Sequence, residues 1–91
     1  MKPAIKEKWL KALRSGEYKK ARGVLHNPIT GGHCCLGVLD IQTCLGGTGG
    51  LLNDEQLKHV GMTDIEQNAL TRLNDKTAGW GAACRYIEKN L

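Results

Sequence analysis

Twelve consecutive residues, Cys34-Cys35-Leu36-Gly37-Val38-Leu39-Asp40-Ile41-Gln42-Thr43-Cys44-Leu45, are apolar almost all round. A segment with no polar face has to be covered on every side, so the rest of the chain must fold as a shell around it. Periodicity alone fits a buried helix or a buried strand equally, and the length favours a helix. With 91 residues, no Phe, four aromatic side chains and 12 glycines, the shell is built from small aliphatic residues. A chain of this length supports one core, and the expectation is a single domain over residues 1–91.

The flanking segments carry amphipathic patterns. Ile5, Trp9 and Leu13 recur at helical spacing over residues 3–14, with Pro3 suited to a first turn and Gly16 to a C-terminal cap. Asn53 with Gln56, and Thr63 with Glu66, have the spacing of reciprocal capping boxes, and Leu52 and Leu57 that of a hydrophobic staple. Asn74-Asp75-Lys76 reads as a break, after which Thr77 caps a last helix with Trp80, Ala83, Cys84, Ile87 and Leu91 on one stripe. Asn27-Pro28 and Gly31-Gly32 read as a turn, which leaves room for a small β-hairpin near residues 23–33. Gly46 to Gly50 read as a flexible turn too short to divide domains. The fold class is therefore mainly α: a compact bundle of about five short helices.

No segment has the roughly 20 apolar residues of a membrane span, and the first six residues lack the apolar region of a secretory signal. Cys34, Cys35, Cys44 and Cys84 each lie in an apolar pattern, which suits buried free thiols in a reducing compartment and predicts a cytoplasmic protein. His33, Cys34, Cys35 and Cys44 invite a zinc reading, but paired Cys-x-x-Cys spacing is missing, and Cys35 and Cys44 would face opposite sides of a helix. A thiolate at Cys34 or Cys35 beside His33 is the enzymatic alternative, opposed by the apolar residues around it. Neither a catalytic group nor a cofactor is expected.

The net charge of +4 is unevenly placed: residues 1–25 hold eight basic and two acidic residues, and the remainder five basic and seven acidic. Lys6, Lys8, Lys11, Arg14, Lys19, Lys20 and Arg22, with Trp9 and Tyr18, make one end basic and partly aromatic. Such an end attracts phosphates or an acidic protein face. Lys19, Lys20 and Arg22 flank the Gly-rich turn and are the expected ligand contacts, with His26 and His33 beside them.

Three blocks taken in order, Lys8-Trp9-Leu10-Lys11-Ala12-Leu13-Arg14-Ser15-Gly16-Glu17-Tyr18, Cys34-Cys35-Leu36-Gly37-Val38-Leu39, and Leu73-Asn74-Asp75 followed by Tyr86-Ile87-Glu88-Lys89-Asn90-Leu91, resemble a widespread, largely uncharacterised family of small bacteriophage proteins. The Cys-Cys-Leu-Gly-Val-Leu run is the most specific of the three. Asp40 stands where that family often has another Cys, which further weakens a metal reading. The resemblance implies a phage accessory protein acting in the infected bacterial cell and brings no functional residues with it. The expected function is non-enzymatic counter-defence by sequestering an anionic immune signal such as a cyclic oligonucleotide, in a homo-oligomer. The rivals are an inhibitor that binds a host or CRISPR effector protein, and a small thiol enzyme.

Overall fold

The computed structural model describes residues 1–91 and contains five helices: α1 (Pro3–Arg14), α2 (Cys35–Thr43), α3 (Asp54–Val60), α4 (Asp64–Lys76) and α5 (Gly81–Asn90). The fold is mainly α. The apolar run is a helix, α2, and it is the centre of the molecule. Cys35, Leu36, Val38 and Leu39 are fully buried, with α1 packed on one side and α4 on another. α5 closes the bundle by packing against α1 and α4.

Local chemistry fixes most helix ends. Pro3 opens α1, Ser15 Oγ donates to the Ala12 carbonyl at its end, and Gly16 follows at φ +79°. Both capping boxes form: Asn53 with Gln56 on α3, and Thr63 with Glu66 on α4. Leu52 and Leu57 are both buried, as a staple requires.

Two boundaries differ from the sequence pattern. Asn74 and Asp75 do not break the helix; α4 runs through Lys76, and Thr77 is its C-cap rather than the N-cap of α5. The reason is that the two side chains bond to partners far along the chain. Asn74 Oδ1 accepts from the Cys35 amide at 3.0 Å and its Nδ2 donates to the Ala21 carbonyl at 3.0 Å. Asp75 Oδ1 accepts from the Gly23 amide at 3.2 Å. Groups engaged elsewhere cannot compete for the backbone of their own helix.

Residues 23–33 hold no hairpin strands. Single bridges join His26 and Lys20 to His33, and Asn27 Oδ1 accepts from the amides of Ile29 and Thr30 to shape the turn. The glycine-rich connection after α2 is tied down: Gly47 donates to Asp40 Oδ1 at 3.1 Å, and the Gly49 carbonyl accepts from the Leu25 amide at 2.8 Å. A Cβ on Gly47 would come within 2.8 Å of Leu25 Cδ1, so a side chain here would have to displace the end of Leu25. All four cysteines are free thiols. Cys34, Cys35 and Cys84 are buried, but Cys44 is exposed, because it caps α2 in the left-handed conformation at φ 54° and its side chain leaves the apolar face. No helix is long and apolar enough to cross a membrane.

Candidate functional site

The loop between α1 and α2 is laid back over α2, and this brings three titratable side chains into line. Asp40 is the one carboxylate in the apolar run, and it is 5% exposed. Its Oδ1 takes the Gly47 amide, and its Oδ2 meets His26 Nε2 at 2.6 Å. His26 Nδ1 in turn meets His33 Nδ1 at 2.7 Å. An ionised carboxylate can only accept, so His26 must donate from Nε2. In the neutral His26 ring Nδ1 is then the acceptor, and His33 donates to it from Nδ1. The chain of donors thus runs from His33 through His26 to Asp40.

That order leaves His33 Nε2 as a bare lone pair. No side chain or backbone group pairs with it, and since no buried side-chain nitrogen or oxygen lacks a partner, this nitrogen reaches solvent. Burial, and then the neighbouring His26, hold the His33 pKa below the usual imidazole value. The Tyr18 ring stands edge-on to His33 with centroids 5.9 Å apart.

Tyr18 is also a wall of an open cleft of about 290 Å³ between the end of α1 and the side of α2. Lys8, Lys11 and Ser15 line it from α1 and its C-cap, a stripe at helical spacing, and Gln42 lines it from α2. Gln42 Nε2 donates to the Tyr18 hydroxyl at 2.9 Å, so the two side chains brace each other. Neither Lys8 nor Lys11 is in an ion pair. Glu17 is the one carboxylate in the lining.

The expected contacts are not gathered in one place. Lys20 Nζ donates to the Thr77 carbonyl and, at 2.7 Å, to that of Gly79, while lying 5.8 Å over the Trp80 ring. Arg22 Nε donates to the Asp75 carbonyl at 3.0 Å. These cations neutralise the negative end of α4 and hold the α4–α5 connection. Burial, then Arg22, lowers the pKa of Lys20. Lys19 is exposed and unpaired; His26 and His33 meet each other but belong to the chain on Asp40.

The cysteines offer little chemistry. The Cys34 thiol caps α2 by accepting from the Gly37 amide, and the Cys35 thiol donates to the Leu70 carbonyl. Burial pushes both thiols up, so both stay protonated at neutral pH. No group of three or more His, Cys, Asp or Glu is placed to hold a metal ion.

Sequence reasoning missed Asp40, Gln42, Ser15 and Glu17. A signal existed for two of them: Asp40 is the lone charge in a run with no polar face, and Ser15 continues the Lys8 and Lys11 spacing.

The fold and the cleft define a small helical protein with a basic, partly aromatic recess on its first two helices. Residues 1–44 match the model of a domain of unknown function, DUF8296, just under half of the chain. The cleft and the Asp40–His26–His33 chain lie wholly inside the matched stretch. No curated protein and no solved structure matches.

Proposed function

We propose that this chain is a non-enzymatic binding protein that sequesters an anionic nucleotide, and that the cleft of Lys8, Lys11, Ser15, Tyr18 and Gln42 receives it. The observation that carries this reading is the contrast among the cations. Arg14 is paired with Glu88, and Lys20 and Arg22 are turned onto carbonyls, whereas Lys8 and Lys11 line an open recess in no ion pair, two cations to the one carboxylate of Glu17. Two lysines one helical turn apart suit a phosphate, and the Tyr18 ring with the Gln42 amide suits a base edge. Lys19 stays in the reading as an exposed cation next to Tyr18 in the chain; Lys20 and Arg22 leave it.

The cleft has room for about one nucleotide unit, so a cyclic oligonucleotide would be held by two or more copies of the chain, which supports a homo-oligomer. The setting, a phage counter-defence protein in the cytoplasm of an infected bacterium, rests on the resemblance carried by the Cys34–Leu39 block. Protonated, buried thiols favour binding over thiol catalysis.

A thermal-shift series with AMP, cyclic di-AMP and cyclic tri-AMP at low salt tests it. A ligand at 100 times its Kd stabilises the folded state by about 2.7 kcal/mol. The K8A/K11A double variant should lose that shift, and Lys20→Ala should keep it on a less stable background. No shift with any nucleotide, together with stoichiometric capture of a host protein by the basic face, would replace this reading with that of a protein inhibitor.

A further inference from the structure

We infer that nucleotide binding in the cleft is coupled to uptake of one proton at His33, through the Asp40–His26–His33 chain. This rests on the cleft reading above and adds its regulation.

With Asp40 ionised and both rings neutral, the two inner nitrogens share one proton and the outer nitrogen, His33 Nε2, is an acceptor. A proton added to this chain emerges at the same place whichever ring carries the charge. If His33 is the imidazolium, Nε2 gains the proton directly. If the inner proton moves so that His26 is the imidazolium, His33 must accept at Nδ1 and therefore hold its own proton at Nε2. Two histidines thus take up one proton between them, and the solvent-facing nitrogen changes from acceptor to donor.

The surroundings of His33 set the direction of the coupling. On its own loop it meets His26, whose far nitrogen is held by Asp40 of α2. From the segment after α1 it meets the Tyr18 ring, the shared wall with the cleft. Lys20 bridges to it through the backbone, while the Lys20 ammonium is directed away to Thr77 and Gly79. Lys8, Lys11 and the one carboxylate, Glu17, line the cleft with Tyr18. In the empty protein, burial and then the neighbouring His26 resist a charge on His33. An anion behind the Tyr18 ring reverses that balance, because it draws positive charge toward the wall. By linkage, the anion then binds more tightly as the pH falls.

The test measures binding of cyclic di-AMP to the full chain at pH 7.5 and 5.5, since its phosphodiesters keep a constant charge over that range. The expected result is an affinity roughly threefold to tenfold tighter at pH 5.5, the size of a charge–charge coupling across one aromatic ring, with proton uptake seen as a buffer-dependent binding enthalpy. The double variant His26→Asn/His33→Asn, which removes both rings that can hold the proton, should lose the pH dependence. Nitrogen NMR of the free protein at pH 7.5 should show His33 protonated at Nδ1 and bare at Nε2. Equal affinity at both pH values overturns the coupling and leaves the cleft reading intact. The opposite His33 tautomer overturns the donor order, and absence of binding at either pH overturns both the cleft and its coupling.

Discussion

The Trp9 indole donates its Nε1–H to the Cys35 carbonyl oxygen across 2.9 Å of buried core. Cys35 is the meeting point of three sequence blocks, residues 8–18, 34–39 and 73–75. Its carbonyl takes Trp9 of α1, its amide donates to Asn74 of α4, and its thiol donates to the Leu70 carbonyl. The blocks therefore record an assembly of helices around the start of α2. Trp9→Phe removes one donor from a buried carbonyl and should cost about 1–2 kcal/mol. Trp9→Ala removes the packing too and should cost about 3–5 kcal/mol. Urea unfolding of the two variants separates the terms, and a Trp9→Phe variant as stable as the parent would show that the hydrogen bond carries no share.

Gly37 explains the glycine inside the Cys-Cys-Leu-Gly-Val-Leu run. A Cβ there would lie 1.9 Å from the Leu25 carbonyl oxygen and 2.8 Å from its carbon, both backbone atoms with no rotamer to relieve the clash. Gly37→Ala must push the 19–33 loop off α2, which should cost about 3 kcal/mol or more and open the His26–Asp40 contact. Thermal melting checks the first effect and the His26 proton shifts the second. A variant as stable as the parent would mean that the loop does not pack where the Leu25 carbonyl stands.

What could be read from the sequence follows from how far apart the partners are. The capping boxes were legible because Asn53 and Gln56, or Thr63 and Glu66, are three residues apart and answer to local rules. The buried character of Cys34 to Leu39 was legible because no polar face interrupts it. Asn74 was misread as a helix end, since its partners Cys35 and Ala21 lie 39 and 53 positions away. Lys20 and Arg22 misled for the same reason: a basic pair near a glycine turn looks available until α4 is seen to end against it. Tyr18 and Gln42 are 24 positions apart, and nothing local links them.

Exposure separates the four thiols. Cys44 sits on the surface at a left-handed cap, whereas Cys34, Cys35 and Cys84 are buried, with their pKa values pushed up chiefly by burial. A disulfide-exchange reagent at neutral pH should therefore modify one thiol per chain quickly and the other three only after denaturation. Mass spectrometry should find the first label on Cys44. Fast labelling of Cys35 in the folded protein would contradict its place in the core and reopen the thiol-enzyme reading.

The His33 pKa also predicts how stability changes with pH. Its folded value lies below the ordinary 6.5, because burial first and His26 second disfavour the charged ring. The unfolded chain therefore binds more protons as the pH falls through about 6.5. Stability should be fully present above that value and decline as the pH drops toward the folded pKa. Denaturation midpoints of the parent and of His33→Asn, compared from pH 7.5 to 5, isolate this contribution, because the carboxylates titrate in both. The parent should lose more stability than the variant over that interval. With saturating cyclic di-AMP the sign of the difference should reverse, since an anion beside the Tyr18 wall raises the His33 pKa and makes protonation favour the bound, folded state. Parallel pH curves with and without the ligand would mean that His33 senses burial alone and that the cleft is electrically separate from it.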